Sequence, residues 1–217
     1  MFDLPIFPLH TVLFPGMPLP LHIFEERYKE MVMYCLDKRQ PFGVVLIQQG
    51  NEAGRPLAVP YAVGCTARIL EVEPLAEGRM NIITLGEKRF RILSLNHEQP
   101  YLIGKVELFP LELGEPEVME GLSQRLLSLV HRYMQTLTQI GEVSLDPEKL
   151  PSEPVVLAYL AAVLLQIPPY RKQELLACAK AVDLMRVLVK HYRLELSLLR
   201  AQVAHGKHED EGFLTVN

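Results

Sequence analysis

The chain has 217 residues, of which 49% are hydrophobic and 22% are charged, proportions typical of a folded globular protein. A chain of this length fits one large domain or two small ones, and either can bury a core. The formal net charge is −4. This balance argues against a nucleic-acid partner, because a general nucleic-acid binder needs a basic face to meet phosphates.

Cysteine usage and the first residues bear on the compartment. The cysteines Cys35, Cys65 and Cys178 lie far apart and form no C-x-x-C pair. Neither disulfides nor a zinc site are therefore expected, and a reducing cytoplasm fits best. The opening MFDLPIF has an aspartate and no basic region, so we expect no signal peptide. No apolar stretch reaches the ~18 residues that a membrane span needs, so no membrane partner is expected.

The chain opens with extended segments separated by turn residues. Residues 4–9 predict a first strand, and the apolar run 12–14 predicts another. Pro15-Gly16 then marks a tight turn. Over residues 18–23, apolar residues alternate with two prolines and a histidine, a period of two that predicts a strand with one buried face. Because proline cannot donate a ladder hydrogen bond, this strand should lie at a sheet edge or beside a bulge. Its alternating apolar residues are Leu19, Leu21 and Ile23.

A helix is predicted over residues 26–36, followed by a buried strand. One apolar stripe recurs along this helix at positions i, i+3, i+4 and i+7. Residues 42–47 are almost entirely apolar, which is typical of a strand buried on both faces. Residues 48–60 contain glycines and prolines and predict a mobile loop. The stripe consists of Tyr28, Met31, Val32 and Cys35.

The remaining strands complete an N-terminal β structure. A long strand is predicted over residues 61–72, with a hairpin partner over 80–85. Gly86 marks a bulge or tight turn before a further strand over 89–93, and a last strand covers 101–108. Six or seven short strands with one early helix indicate a closed or nearly closed β-barrel.

The pattern changes to helix after a Pro- and Gly-containing linker at 110–116. Helical spacing of apolar residues covers 119–133, and a strongly apolar helix covers 155–167. From Leu175 an apolar residue recurs every three or four positions to Val203, either as one long seam or as two stacked helices broken near Lys180. We therefore predict a barrel lobe over 1–113 and an α-helical bundle lobe over 114–204, followed by a disordered tail over 205–217.

Several ordered blocks resemble one known family. PIFPLHTVLFPGMPLPLHIFEERYKEMV at 5–32 is similar to the opening of the LON substrate-binding domain, the N-terminal domain of Lon proteases, which also exists as a stand-alone protein. Five further blocks that are similar to this family follow in the expected order. They are FGVVLI, VGCTARI, GEKRFRI, PYLIGKVE and RKQELL. The resemblance implies an α+β fold, with a PUA-like pseudo-β-barrel followed by helices. It also implies a role in substrate recognition.

No catalytic constellation is found in the chain. A Lon ATPase needs a G-x-x-x-x-G-K-[ST] loop to hold phosphates, and this sequence contains none, nor a G-x-S-x-G motif. We therefore expect no enzyme activity, no cofactor and no metal. His205-x-x-His208 is interpreted as part of a solvated tail. Lys88, Arg89 and Arg91 are interpreted as a solvated strand face that pairs with Glu87.

What remains is binding, with a polypeptide as the expected partner. The first hypothesis is a non-catalytic recognition protein that holds unfolded or extended segments by edge-strand pairing and apolar pockets, in a groove between the lobes. The alternative is a PUA-like barrel that binds a small molecule or RNA. An internal helical seam would give a monomer, and an intermolecular one a homodimer. The candidate binding or structural motif consists of Phe14, Pro15, Leu19, Leu21, Ile23, Phe24, Glu25, Arg27 and Tyr28.

Overall fold

A computed structural model describes residues 1–50, 59–139 and 150–212. Side chains are described through residue 138 in the second of these ranges and through residue 201 in the third. Two compact units divide the chain. The first contains Met1–Glu112 with Ala162–Ala179, and the second contains Leu113–Ala161 with Lys180–Asn217. The middle of the predicted loop, residues 51–58, lies outside the described residues, as do residues 140–149 and 213–217.

The described residues of the first unit form mostly a seven-stranded sheet. Its strands are β1 (Phe2–Leu9), β2 (Pro18–Ile23), β3 (Phe42–Gln49), β4 (Val59–Pro60), β5 (Val63–Pro74), β6 (Met80–Asn96) and β7 (Leu102–Leu108). Five of them pair in the order β1-β7-β6-β5-β3, and a parallel pairing of β3 with β1 closes this circuit. β2 attaches to β6 and β4 to β3, outside the circuit.

The sequence predicted a closed or nearly closed β-barrel, and the observed sheet is not a clean barrel although its strand circuit closes. The long strand β6 pairs with β2, β5 and β7 along different parts of its length. Register shifts interrupt its pairing with β5 at two places and with β7 at one, which is how bulges bend and re-aim a strand. One strand thus replaces the two that were predicted on either side of Gly86.

Helix α1 (Glu26–Lys38) confirms the predicted early helix and its apolar stripe. It ends at Arg39, whose left-handed backbone (φ 51) lets its N–H reach the carbonyl oxygens of Cys35 and Leu36. The stripe packs into one apolar cluster with residues of β2 and β3. β3 is buried on both faces over residues 42–47, as predicted. The four stripe residues, all buried, are Tyr28, Met31, Val32 and Cys35.

A short helix, α4 (Pro169–Leu176), belongs to the first unit although it lies far along the chain. Buried Gln173 donates from Nε2 to the carbonyl oxygen of Val63, at 2.9 Å. This segment is where the compact units differ from the predicted contiguous lobes 1–113 and 114–204. The chain breaks after Leu176 and the next helix starts at Ala181, so two helices rather than one seam are observed.

The second unit is helical in its described residues. It contains α2 (Pro116–Gln139), most of α3 (Pro154–Leu164) and α5 (Ala181–Gly212). The Tyr133 and Tyr192 rings meet edge to face, with centroids 5.1 Å apart. The Tyr192 hydroxyl donates to the Ala161 carbonyl oxygen at 2.8 Å, and burial raises the pKa of Tyr192 above its usual range.

The apolar seam of α5 is buried within the chain itself. Met185, Val189, Tyr192 and Leu196 are all buried, which favours the internal alternative over an intermolecular coiled coil. The backbone of α5 continues to Gly212, past the start of the predicted tail at 205. The side chains of that predicted tail, including His205 and His208, lie outside the described residues.

Candidate functional site

The turn at Pro15-Gly16 is fastened to the middle of β6. Gly16 has φ +80, a conformation that glycine adopts without strain. Its N–H donates to the Gly86 carbonyl oxygen at 2.8 Å, and the Gly86 N–H donates to that of Met17 at 2.9 Å. The predicted turn and the special position of Gly86 are thus parts of one clamp. The predicted strand over 12–14 is wrong, since these buried residues lead into the turn as irregular chain.

Strand β2 is an edge strand with one buried face, as predicted. Among the described strands it pairs with β6 alone, placing Leu19 opposite Thr84 and His22 opposite Asn81. Leu19 and Ile23 are buried, whereas the two prolines and His22 are exposed. The prolines have no N–H to offer along the free edge. The carbonyl oxygens of an incoming strand would find no donor at these two positions, so the outer face of β2 is a better binding surface than its edge.

That outer face carries a cleft of about 580 Å³ across β2, β6 and β5, which we call the outer cleft. A polar row crosses it, because His22 Nδ1 and Asn81 Oδ1 are 2.8 Å apart and Asn81 Nδ2 donates to Glu73 Oε2 at 2.8 Å. Beside this row lie Pro20 and Ile83, the latter 40% exposed. The outer cleft therefore combines apolar contact area with hydrogen-bonding groups, as binding sites for peptides and small ligands do.

The predicted motif residues divide between this surface and the interior. Leu21 lines the outer cleft. Phe24 is 56% exposed and stacks against His22, with ring centroids 5.9 Å apart. The half-buried Pro15 sits in the clamp turn. The remaining apolar motif residues, namely Phe14, Leu19, Ile23 and Tyr28, are buried and support the fold.

Glu25 and Arg27 form the corner between β2 and α1. The Arg27 guanidinium contacts Glu25 Oε2 at 2.9 Å and lies 4.5 Å from the Tyr28 ring centroid. The Glu25 carbonyl oxygen accepts from the N–H groups of Tyr28 and Lys29, each at 3.0 Å. The half-buried ion pair thus lies at the first helical turn, where the chain passes from β2 into α1.

Arg89 departs most from its predicted role. It is 3% exposed rather than solvated, and its Nη1 donates to the carbonyl oxygens of Leu176 and Cys178, both at 2.6 Å. Arg91, in contrast, is partly exposed and pairs with Glu107 at 3.5 Å. Sequence reasoning missed Arg89 because nothing local indicates that the end of α4 covers this part of β6.

The thiols differ in burial, which predicts their reactivity. Burial raises the pKa of both Cys35 and Cys65 to about 12, so only about one in ten thousand of these groups is thiolate at pH 8. Cys178 is only half-buried. We expect an aromatic disulfide reagent at pH 8 to modify one thiol per native chain rapidly, and all three after denaturation. Cys178→Ser should abolish the rapid phase, and rapid modification of two or more native thiols would contradict this assignment.

Comparison with known proteins decides the family. The family model for the ATP-dependent protease La (LON) substrate-binding domain matches residues 3–192. The chain belongs to this family. The resemblance found in the sequence blocks is thereby confirmed for most of the chain. Among the residues described here, no helix is long and apolar enough to cross a lipid bilayer.

Curated relatives of the chain are much longer than it is. The chain is 25% identical over 199 residues to Lon protease of Anaeromyxobacter dehalogenans, covering 91% of this chain and 24% of that protein. It is 28% identical over 218 residues to Lon protease of Parabacteroides distasonis, covering 95% and 26%. The chain therefore spans about a quarter of the length of these relatives.

Solved structures show the same fold. A Lon N-terminal domain protein from Xanthomonas campestris superposes with a TM-score of 0.64 at 26% identity, covering 88% of this chain and 98% of that one. The N-terminal domain of Mycobacterium avium complex Lon protease gives a TM-score of 0.69 at 18% identity, with the same coverage. These similarities identify the fold of this chain as that of the Lon N-terminal domain.

Proposed function

We propose that this protein is a non-catalytic recognition protein that binds unfolded or extended polypeptide segments, as a substrate-recognition component or adaptor. The observation that carries the proposal is the outer cleft, where apolar side chains lie open beside a row of hydrogen-bonding groups. The membership of the chain in a substrate-binding family supports the same function. We further propose that the closed strand circuit is a PUA-like pseudo-barrel and that the second unit is a helical bundle.

The chemistry of the outer cleft suits a chain that has lost its fold. An unfolded segment exposes apolar side chains, which gain free energy by covering Ile83 and Pro20. It also exposes backbone amides, which the carboxylate of Glu73 and the polar atoms of His22 can engage. A folded protein buries both kinds of group, so it should bind much more weakly.

Substitution of Ile83 by aspartate tests where the polypeptide binds. We expect Ile83→Asp to weaken binding of a labelled, reduced and unfolded polypeptide by about tenfold, because a charge replaces apolar contact area. Fluorescence anisotropy of the full chain without ATP measures the change.

The matched control is Leu93→Asp, which changes a similarly exposed residue (45%) on the same strand but outside the outer cleft. It should leave affinity within about twofold, as expected of a surface substitution away from the site. Equal effects of both variants would place the binding surface elsewhere. Binding of RNA in preference to the polypeptide would instead favour the alternative of an RNA-binding barrel.

A further inference from the structure

Arginines recur at seven-residue intervals on both long helices of the second unit. Helix α2 carries Arg125 and Arg132, and helix α5 carries Arg186, Arg193 and Arg200. Seven residues are about two helical turns, or about 10.5 Å along the axis. Each series therefore forms one stripe along its helix rather than a scatter of charges.

The two stripes face a common cleft. A cleft of about 880 Å³, which we call the arginine cleft, is lined by Arg125, Arg132, Arg193 and Arg200. A recess of about 300 Å³ adjoins it, sharing Arg125 and adding Arg186. The lining also includes two serines and two leucines, so hydroxyl groups and some apolar surface accompany the positive charges. These are Ser128, Ser197, Leu129 and Leu196.

In the part of the chain that the structure describes, the four arginines of this cleft lack the carboxylate partners that several other arginines have. Arg27, Arg68 and Arg171 each contact a glutamate, and Arg186 pairs with Asp183 at 3.5 Å. Within the described ranges, none of the four forms an ion pair. The sequence places no Asp or Glu three or four residues before or after any of them.

This pattern differs from an ordinary solvated helix face. Such faces usually mix both signs of charge, with pairs at i and i+4. Here like charges are concentrated in one concave surface of a chain whose formal net charge is −4, at separations near the screening length of about 8–10 Å. Concentrating cations in a cleft focuses the field and attracts an anionic ligand.

We propose that the arginine cleft binds an acidic helical segment of a partner polypeptide, in which Asp or Glu recurs every seven residues. A helix laid beside α2 and α5 would present its carboxylates at the same interval of about 10.5 Å as the arginines. Guanidinium groups bind carboxylates through two parallel hydrogen bonds. Successive phosphates of a duplex strand rise about 3.4 Å along the helix axis while they wind around it, so they do not form a straight row alongside the stripes. This inference concerns a different unit from the outer cleft and does not rest on the proposed function.

Two synthetic helical peptides test the proposal on the intact full chain. One carries Glu at every seventh position and the other carries Gln at those positions. We expect the Glu peptide to bind at least about tenfold more tightly by fluorescence anisotropy, with an affinity that falls as salt is raised from about 50 to 300 mM. Equal binding of the two peptides would overturn the proposal without requiring any protein variant. So would tighter binding of single-stranded RNA or of phosphatidylserine vesicles.

Paired protein variants then place the peptide. Arg132→Gln with Arg193→Gln should weaken binding of the Glu peptide about tenfold or more. Lys180→Gln with Lys190→Gln removes the same number of charges from the same unit, outside the arginine cleft, and should change affinity by less than about threefold. Circular dichroism should show unchanged helicity for both, because all four side chains are exposed. Equal weakening by both pairs would show general charge attraction and overturn the assigned site.

Discussion

Replacing Arg89 with methionine should lower the free energy of unfolding of the first unit by about 3 kcal/mol. Two hydrogen bonds from a charged group are lost, each worth about 1.5–3 kcal/mol, while methionine keeps much of the apolar contact. The carbonyl oxygens of Leu176 and Cys178 lose their donor at the end of α4. A cation is also favourable there, because the C-terminal end of a helix carries partial negative charge. Urea denaturation followed by circular dichroism measures the change.

Arg91→Met provides the matched control. Arg91 lies two residues along the same strand, with a side chain 44% exposed and ion-paired to Glu107, so its replacement should cost less than about 1 kcal/mol. Arg89 also lies near the Phe109 ring, as Arg91 does, so the ring contact is common to both substitutions. A loss at Arg89 no larger than that at Arg91 would contradict the anchoring role of the buried guanidinium.

Gly86→Ala should likewise lower the free energy of unfolding, by about 3 kcal/mol. An added Cβ would overlap the Phe14 carbonyl oxygen and lie 3.0 Å from its carbonyl carbon. These are backbone atoms, so they cannot rotate away as a flexible side chain can. Overpacking costs about 1–3 kcal/mol, and moving the Phe14–Met17 segment away from β6 also weakens the hydrogen bonds to Gly16 and Met17. Chemical denaturation of the full chain measures the loss.

Gly121→Ala makes the same change where there is room. Gly121 lies inside α2, and an added Cβ there meets nothing within 4 Å. Alanine is a better helix former than glycine, so this variant should be more stable by about 0.5–1 kcal/mol. A lower free energy of unfolding for Gly86→Ala and a higher one for Gly121→Ala would support the clamp. A Gly86→Ala protein as stable as the parent would refute the close approach of Gly86 to the Phe14 backbone.

Local periodicity was sufficient to predict the elements that pack one face against the core. The alternation of Leu19, Leu21 and Ile23 predicted the edge strand, and the stripe from Tyr28 to Cys35 predicted the buried face of α1. The break between α4 and α5 was one of two open alternatives, with Asp183 in the first turn of the second helix. These features depend on neighbours within a few residues, which a single sequence displays directly.

Contacts between distant segments could not be predicted in this way. The parallel pairing of β1 with β3, the fastening of Gly16 to Gly86 and the anchoring of α4 by Arg89 each join residues that no local pattern connects. The outer cleft shows the same limit. Its β2 residue Leu21 belonged to the predicted motif, while residues from β5 and β6 were missed because only folding brings them alongside.

The arginine stripes, by contrast, were visible in the sequence. Arg186, Arg193 and Arg200 share the seven-residue period of the apolar seam on the same helix. Apolar periodicity predicts a buried face, whereas charged positions on a helix are usually solvated, so the stripes by themselves predict no binding site. The sequence does not show that α2 lies beside α5, so it could not predict that the arginines of both helices line the same cleft.

The most direct test of the recognition role compares one polypeptide in two states. The purified full chain is titrated, without ATP, against a reduced and unfolded model polypeptide and against the same polypeptide folded. We predict a Kd of about 1–10 μM for the unfolded form, which corresponds to roughly 7–8 kcal/mol, and binding at least about tenfold weaker for the folded form. Equal affinity for the two states, or no binding of the unfolded form at about 100 μM, would contradict the proposed function.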